Sequence, residues 1–346
     1  MSDRESVEVL PRTGPRGRGG RLLEIDDLRV EFRTETGVVR AVNGVSWTLD
    51  AGETLAILGE SGSGKSVSAQ AVMGILDSPP AFVTGGAIRF RGEDLLGMPA
   101  EQQRVLRGPS LSMVFQDALS ALNPVFTVGN QIGEMFRVHR GTGRRAARQQ
   151  AIELLDRVRI PAAASRVDDY PHQFSGGMRQ RAMIAMAIAL EPEVLIADEP
   201  TTALDVTVQA QIMDLLGELQ RDTGMGLVLI THDLGVVGEI ADRVAVMYAG
   251  AIVEQGPIGQ VFGRPGHPYT EGLLASVPRV DQRDGGRLQP IDGAPPNLTQ
   301  IPPGCSFHPR CPRSRLPEPC ATHTPLLRDV AVAQVSACHF ANEVVA

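Results

Sequence analysis

From about residue 22 onward the chain alternates two apolar patterns. Short continuous runs at residues 54–58 (TLAIL), 194–197 (VLIA) and 227–230 (LVLI) have strand length and predict buried β-strands. Other stretches repeat at helical spacing. Ile212, Leu215, Leu216 and Leu219 stand at i, i+3, i+4 and i+7, one stripe that would cover a sheet. A further helix is predicted from about Lys65. Strands alternating with amphipathic helices predict an α/β fold. Residues 127–158 differ: they read as mostly helical, with Ile152, Leu155 and Val158 spaced for a buried face and arginines around them. No strong strand interrupts them, so an inserted helical subdomain is expected, bounded near residues 117 and 175.

After Gly256 prolines and glycines become frequent, and all four cysteines lie beyond residue 300. A separate C-terminal extension is therefore expected over 257–346, leaving 22–256 as the main domain. Residues 1–21 mix acids with arginines and lack an apolar stretch, so they read as a flexible tail and not as a secretory signal. The 346 residues are 42% hydrophobic and 21% charged, enough apolar material for a large core, which excludes disorder throughout. A formal charge of −7 gives no general reason to bind nucleic acid or an anionic membrane, so any anion site must be local. The longest uncharged apolar run, residues 244–253, is about half a membrane span. The chain is expected not to cross a bilayer and to work in the cytoplasm.

Charge composition singles out one residue. Of the 33 basic residues, 32 are arginine and one, Lys65, is lysine. Its position needs a compact ammonium in place of a planar fork. Lys65 lies in GESGSGKS, residues 59–66, which matches G-x-x-x-x-G-K-[ST] after a predicted strand and before a predicted helix. In Gly59, Glu60, Ser61, Gly62, Ser63 and Gly64 the glycines let the backbone curl. Its N–H groups then point at phosphate oxygens beside a helix N-terminus that continues through Val67. Lys65 can reach the outer phosphates, and the Ser66 hydroxyl can ligate Mg²⁺. A second apolar strand ends in two acids: Asp198 suits a Mg²⁺ contact and Glu199 suits polarising a water. Gln116 in SMVFQD and His232 in LVLITHD each stand just past a β-like run, where open α/β sheets bind their ligands.

Two further segments complete the set: FSGGMRQR at 174–181 and ADEPTTALD at 197–205. With the phosphate loop, and in this order, they resemble the motifs of ABC-type ATPases over residues 22–256. The resemblance implies a P-loop nucleotide-binding domain that takes ATP with Mg²⁺. It places the Walker A loop at 59–66, the Q-loop at Gln116, and the signature at Ser175, Gly176 and Gly177. The Walker B acid is Asp198 followed by Glu199, the D-loop residue is Asp205 and the switch histidine is His232. It casts Glu199 as general base, His232 as a γ-phosphate contact, and Gln116 as a sensor of Mg²⁺ and of the membrane partner. Two such domains would pair head to tail, with Ser175 and Gly177 serving the γ-phosphate of the opposite subunit. Every motif residue is present, so a hydrolysis-competent chain is expected. Two departures stand out: the signature reads FSGGM, not LSGGQ, and no tyrosine is found where one would stack on adenine. Phe32 is the nearby aromatic proposed for stacking, with a place in the core as the alternative.

Beyond the ATPase region, GRPGHPYTEGLL at 263–274 and the cysteine-bearing segments resemble the extension of oligopeptide and dipeptide importer ATPase subunits, a branch that also serves nickel and some sugars. As bare chemistry the HPYT tetrapeptide would be a proline-rich turn with an exposed histidine. Cys305, Cys311, Cys320 and Cys338 in a reducing compartment suit metal ligation better than disulfides. Their spacing lacks the paired knuckles usual for structural zinc, four thiolates could equally hold an iron–sulfur cluster, and four free buried thiols are the remaining alternative. The resembling branch carries a [4Fe–4S] cluster on such cysteines, which is the occupant expected here. Arg310 and Arg313 read as solvated charges. The expected function is an ATP-hydrolysing subunit that energises peptide import from the cytoplasmic side of the membrane. Its expected partners are two integral membrane permeases, a second ATPase subunit of the same or a related chain and, indirectly, an extracytoplasmic binding protein, with no nucleic acid. A nickel or other small-solute importer, or a soluble ABC ATPase, is the alternative.

Overall fold

The structure, a computed structural model, describes residues 20–35, 37–202, 204–276 and 291–345. The N-terminal tail expected from the sequence lies, up to residue 19, outside the described residues. In chain order the elements open with β1 (Arg21–Thr34), β2 (Gly37–Asp50), β3 (Thr54–Leu58), α1 (Lys65–Met73), β4 (Ala81–Phe90), β5 (Glu93–Asp94), α2 (Ala100–Leu106) and β6 (Leu111–Val114). Helices α3 (Ala118–Ala121), α4 (Val128–Arg140), α5 (Arg144–Arg157), α6 (Ala163–Arg166) and α7 (Gly176–Ile188) precede β7 (Val194–Asp198). Next come α8 (Val206–Thr223), β8 (Gly226–Ile230), α9 (Leu234–Ile240), β9 (Arg243–Tyr248) and β10 (Ala251–Pro257). The chain closes with α10 (Ile258–Gly263), α11 (Pro268–Ala275), β11 (Arg328–Ala331), β12 (Gln334–Ser336) and α12 (Ala341–Val345). Two compact units are assembled from separate stretches of sequence. One, the phosphate-loop unit, takes residues 24–48, 54–89 and 229–345; the other, the helical unit, takes 20–23, 49–53 and 90–228.

In the phosphate-loop unit β3 pairs in parallel with β9, Leu55 beside Arg243 through Leu58 beside Val246. All five residues of β3 are buried, as a continuous apolar run in a parallel sheet should be. The apolar run at 244–253 proves to be two strands. It folds back between β9 and β10 at Ala249 and Gly250, whose φ values of +49° and +79° suit a tight hairpin turn. β10 then pairs with β12, and β12 with β11, all antiparallel. The C-terminal extension thus adds two strands to this sheet.

In the helical unit β6 and β7 are parallel, Leu111 beside Val194 through Val114 beside Ala197, and every residue of both is buried. The α8 stripe of Ile212, Leu215, Leu216 and Leu219 is buried, with Asp205 as N-cap and Gly224, φ +66°, as C-cap. Between β6 and α7 the described residues form helices and turns only. The buried face of α5 differs from the expected one: Ala147, Ala151, Leu154 and Leu155 carry it, with Val158 buried at its end, while Ile152 is half-buried. Small alanines give close packing against α4 that a count of large apolar residues overlooks.

Candidate active site

Residues 59–64 bridge buried β3 and α1 in a loop that only glycine can follow. Gly64 has φ +103°, and a Cβ there would stand 2.2 Å from the carbonyl oxygen of Ala41. Gly59, φ +148°, would place a Cβ 2.2 Å from the carbonyl oxygen of Met247. The backbone therefore curls tightly, and no side chain caps the N-terminus of α1. Lys65 is 4% exposed and points back into the curl, its Nζ donating to the carbonyl oxygens of Gly59 (2.8 Å) and Glu60 (3.0 Å). The buried Ser63 hydroxyl faces into this loop without a hydrogen-bond partner. Thr231, which precedes His232, donates its N–H to the Ile57 carbonyl at 3.3 Å. His232, expected as the switch histidine, thereby follows a residue tied to the strand that leads into the loop, and its side chain is exposed. Phe32 is half-buried near the end of β1 and so is not a core residue.

In the helical unit β7 delivers the two acids. Asp198 is 4% exposed, and Glu199 follows with φ +45°, a left-handed conformation that costs about 1–2 kcal/mol in a non-glycine residue. Such strain persists where the surroundings over-determine it. Here two side chains do so: Gln116 Nε2 and Thr202 Oγ1 each donate to Glu199 Oε2 at 2.9 Å. The structure thus joins Gln116 and Glu199, 83 residues apart in the chain. Thr202 was not singled out by the sequence, although its place three residues after Glu199 was the available signal.

Ser175 is the N-cap of α7, accepting from the Met178 N–H at 3.3 Å, and Asp205 caps α8 through the Val208 N–H at 3.0 Å. These two helix starts touch. A Cβ on Gly177 would stand 2.7 Å from Val208 Cγ1, and one on Gly176 would stand 3.4 Å from Leu204 Cδ2. Ser175 and Gly176 remain exposed, which leaves the α7 N-terminus open for an anion.

The extension is no linker. His267 is 1% exposed, and its Nδ1 caps α11 by accepting from the Tyr269 N–H at 3.1 Å; burial lowers its pKa to about 3. The buried carboxylate of Glu254 in β10 accepts from the N–H groups of Gly266 and His267 and from Gln334 Nε2. Tyr269, wholly buried, accepts the Glu60 N–H on its hydroxyl at 2.8 Å. Arg310, expected as a solvated charge, is 5% exposed and grips the Glu60 carboxylate with two bonds of 2.6 and 2.9 Å. Arg313 does stay at the surface, paired with Glu271 at 2.9 Å.

Cys305, Cys311, Cys320 and Cys338 line one cavity, beside Phe307 and Phe340. Burial pushes the Cys305 and Cys311 thiols up to about 11, and the neighbouring cysteines add to the shift. Burial also raises Cys338. The N–H groups of Arg315 and Phe340 point at the sulfurs of Cys320 and Cys338 at 3.5 and 3.4 Å. Among the described residues no group of three or more histidine, cysteine, aspartate or glutamate side chains is gathered tightly enough to hold a metal ion.

Residues 42–202 match the family ABC transporter, and residues 253–318 match the family Oligopeptide/dipeptide transporter, C-terminal region. The dipeptide transport ATP-binding protein DppD of Bacillus subtilis (strain 168) is 54% identical over 292 residues, covering 84% of this chain and 87% of that protein. The chain belongs to the ATP-binding proteins of the oligopeptide/dipeptide ABC transporter family. A putative peptide import ATP-binding protein of Brucella abortus (strain 2308) is 51% identical over 327 residues, 92% of this chain and 96% of that one. Among solved structures, the dimeric structure of MJ0796, a bacterial ABC transporter cassette, aligns with a TM-score of 0.62 at 25% identity, covering 68% of this chain and 99% of its own. The cassette cbiO1 from Clostridium perfringens, part of the transporter complex cbiONQ, aligns at 0.60 with 30% identity, covering 70% and 91%.

As a member of this family the chain is an ABC-type ATPase with an α/β cassette fold, using ATP and Mg²⁺. Among the described residues no helix is long and apolar enough to cross a membrane. The residues that sequence reasoning missed in this ATPase are Thr202, Tyr269 and Arg310. The latter two act on the phosphate loop from more than 200 residues away, a relation that no local pattern encodes.

Proposed function

We propose that this ATPase powers peptide import as a peripheral subunit at the cytoplasmic face of the cell membrane. The observation that carries the reading is the similarity to the two peptide-import relatives over 84% and 92% of the chain. The site residues take distinct roles. The backbone of Gly59 to Gly64 cradles the phosphates, and Lys65 leaves its carbonyl partners for the outer phosphate oxygens. Ser66 and Asp198 serve Mg²⁺, and Gln116 senses it. Glu199 takes the proton of the attacking water while Gln116 and Thr202 hold its carboxylate in place. His232 contacts the γ-phosphate, and Phe32 stacks on adenine. Ser175, Gly176 and Gly177 serve the nucleotide of a second ATPase subunit, and Asp205 positions that edge. Catalysis is then positioning and charge stabilisation of the transferred phosphoryl group.

Two integral membrane permeases complete the complex, with an extracytoplasmic binding protein acting through them and no nucleic acid involved. Exposed apolar side chains at 115 and 125–126 offer a docking surface for the permeases. Buried Gln131 donates to the carbonyl oxygens of Asn123 (2.9 Å) and Phe126 (3.0 Å), which pins the loop so that Val125 and Phe126 are 70% and 49% exposed. Phe115, next to Gln116, is 40% exposed. Mild-detergent purification of the tagged protein from its own membranes tests the reading. Two multi-span permeases should co-purify, whereas recovery with ribosomes, with DNA-repair proteins or alone would contradict it.

The cysteine cavity is assigned to a [4Fe–4S] cluster. The four cysteines line one cavity, and N–H···S bonds of the kind seen at Cys320 and Cys338 stabilise cluster sulfurs. When bound, such a cluster would cross-link the four cysteine-bearing segments. Anaerobically purified protein should be brown with about four iron atoms per chain. One zinc with no visible absorption would overturn the assignment.

A further inference from the structure

Glu60, the second residue of the phosphate loop, is held at three points. Its carbonyl oxygen accepts from Lys65 Nζ at 3.0 Å, its N–H donates to the Tyr269 hydroxyl at 2.8 Å, and its carboxylate receives both Nη atoms of Arg310. Arg310 is itself aimed. Its Nε donates to the Asp292 carbonyl at 3.0 Å, and its guanidinium lies 5.8 and 5.9 Å from the ring centroids of Tyr248 and Phe307. Those rings pack on each other and on Tyr269, with centroids 4.6 to 5.4 Å apart, so the whole grip is one aromatic-walled block. A part-buried ion pair is weak evidence of stabilisation, since desolvation offsets its attraction. Its position carries more meaning: it sits on the loop that must face a triphosphate, where an uncompensated carboxylate would repel the ligand.

We infer that Arg310 and Tyr269 are positioning residues through which the C-terminal extension sets the phosphate loop for nucleotide. Arg310 neutralises and orients the Glu60 side chain, and Tyr269 fixes the Glu60 peptide whose carbonyl anchors Lys65. The inference rests on residues 59–66 being the nucleotide loop. It makes the extension part of the ATP site, in addition to its place in the sheet.

The test is a double-mutant cycle on the full chain, read as the Kd for a fluorescent ATP analogue with Mg²⁺ alongside the melting temperature. R310A should weaken binding about tenfold, because it leaves the Glu60 carboxylate unpaired beside the phosphates. The same substitution in an E60Q background should cost less than about twofold, since no charge is left to compensate. Y269F, which deletes only the hydroxyl, should weaken binding about threefold while the melting temperature stays within a few degrees. R310K, with charge but no fork, should fall between wild type and R310A. An unchanged Kd in both R310A and Y269F, or equal R310A losses with and without Glu60, would overturn the inference. R310A that fails to fold leaves R310K and Y269F to decide in the same way. Wild-type protein that binds no nucleotide would instead overturn the assignment of the loop.

Discussion

Glu199 holds a left-handed backbone conformation and shares one carboxylate oxygen between Gln116 and Thr202 at 2.9 Å each. Two donors on one oxygen fix the orientation of the carboxylate, as the general-base role proposed for Glu199 requires. Glu199→Gln keeps the shape and removes the base. ATP binding should persist and turnover should fall by at least about a hundredfold, read as steady-state phosphate release beside nucleotide Kd. Gly64→Ala should act on the other step. With φ +103° and a Cβ 2.2 Å from the Ala41 carbonyl, the loop cannot keep its path, and equilibrium binding of ATP should be lost. Gly64 was legible in the sequence because the expected phosphate loop occupies eight consecutive positions, 59–66, and holds the lone lysine among 33 basic residues; Glu199 was legible as the second of two acids after an apolar run. Arg310 was not legible, since its partner lies 250 residues upstream and an arginine between prolines reads as a solvated charge.

At the level of elements, the touching N-termini of α7 and α8 are the part most sensitive to side-chain volume. Gly177→Ala drives a methyl to 2.7 Å from Val208, which should shift the signature turn and reduce hydrolysis. Val208→Ala in the same chain should restore much of the rate, because the clash is with a side chain and not with backbone. Asp205→Ala removes the α8 cap and should cost about 1 kcal/mol in denaturant unfolding. The α8 stripe and the β3 and β7 runs followed from periodicity because each buries a face of regular spacing. The strands β11 and β12 escaped it. They are four and three residues long, and β11 alternates little, so only pairing with β10 defines them. Glu254 shows the same limit: an acid in a strand reads as a solvent-facing position, yet it is fully buried and satisfies the turn that leads into α11. Glu254→Ala should strip three buried donors of their acceptor and lower stability by more than about 2 kcal/mol.

Across the whole molecule, an ATPase and an extension share the work. The α/β class and the ABC-type family could be read from the chain alone, and the family matches at 42–202 and 253–318 agree with that reading. The interleaving of sequence stretches into two compact units could not be read, because hydrophobic periodicity reports which face is buried and not which distant strand covers it. Among the described residues no helix is long and apolar enough to cross a membrane, and the proposed permeases would supply the membrane path. The exposed Val125 and Phe126, pinned by Gln131, are where those chains would press. The most direct measurement is ATP-driven uptake of a labelled dipeptide into vesicles reconstituted with this subunit, its co-purified permeases and their binding protein. Wild-type subunit should accumulate peptide in step with phosphate release, and Glu199→Gln should bind ATP and move none. Accumulation that continues with Glu199→Gln, or hydrolysis that never drives uptake of any peptide, would contradict the account.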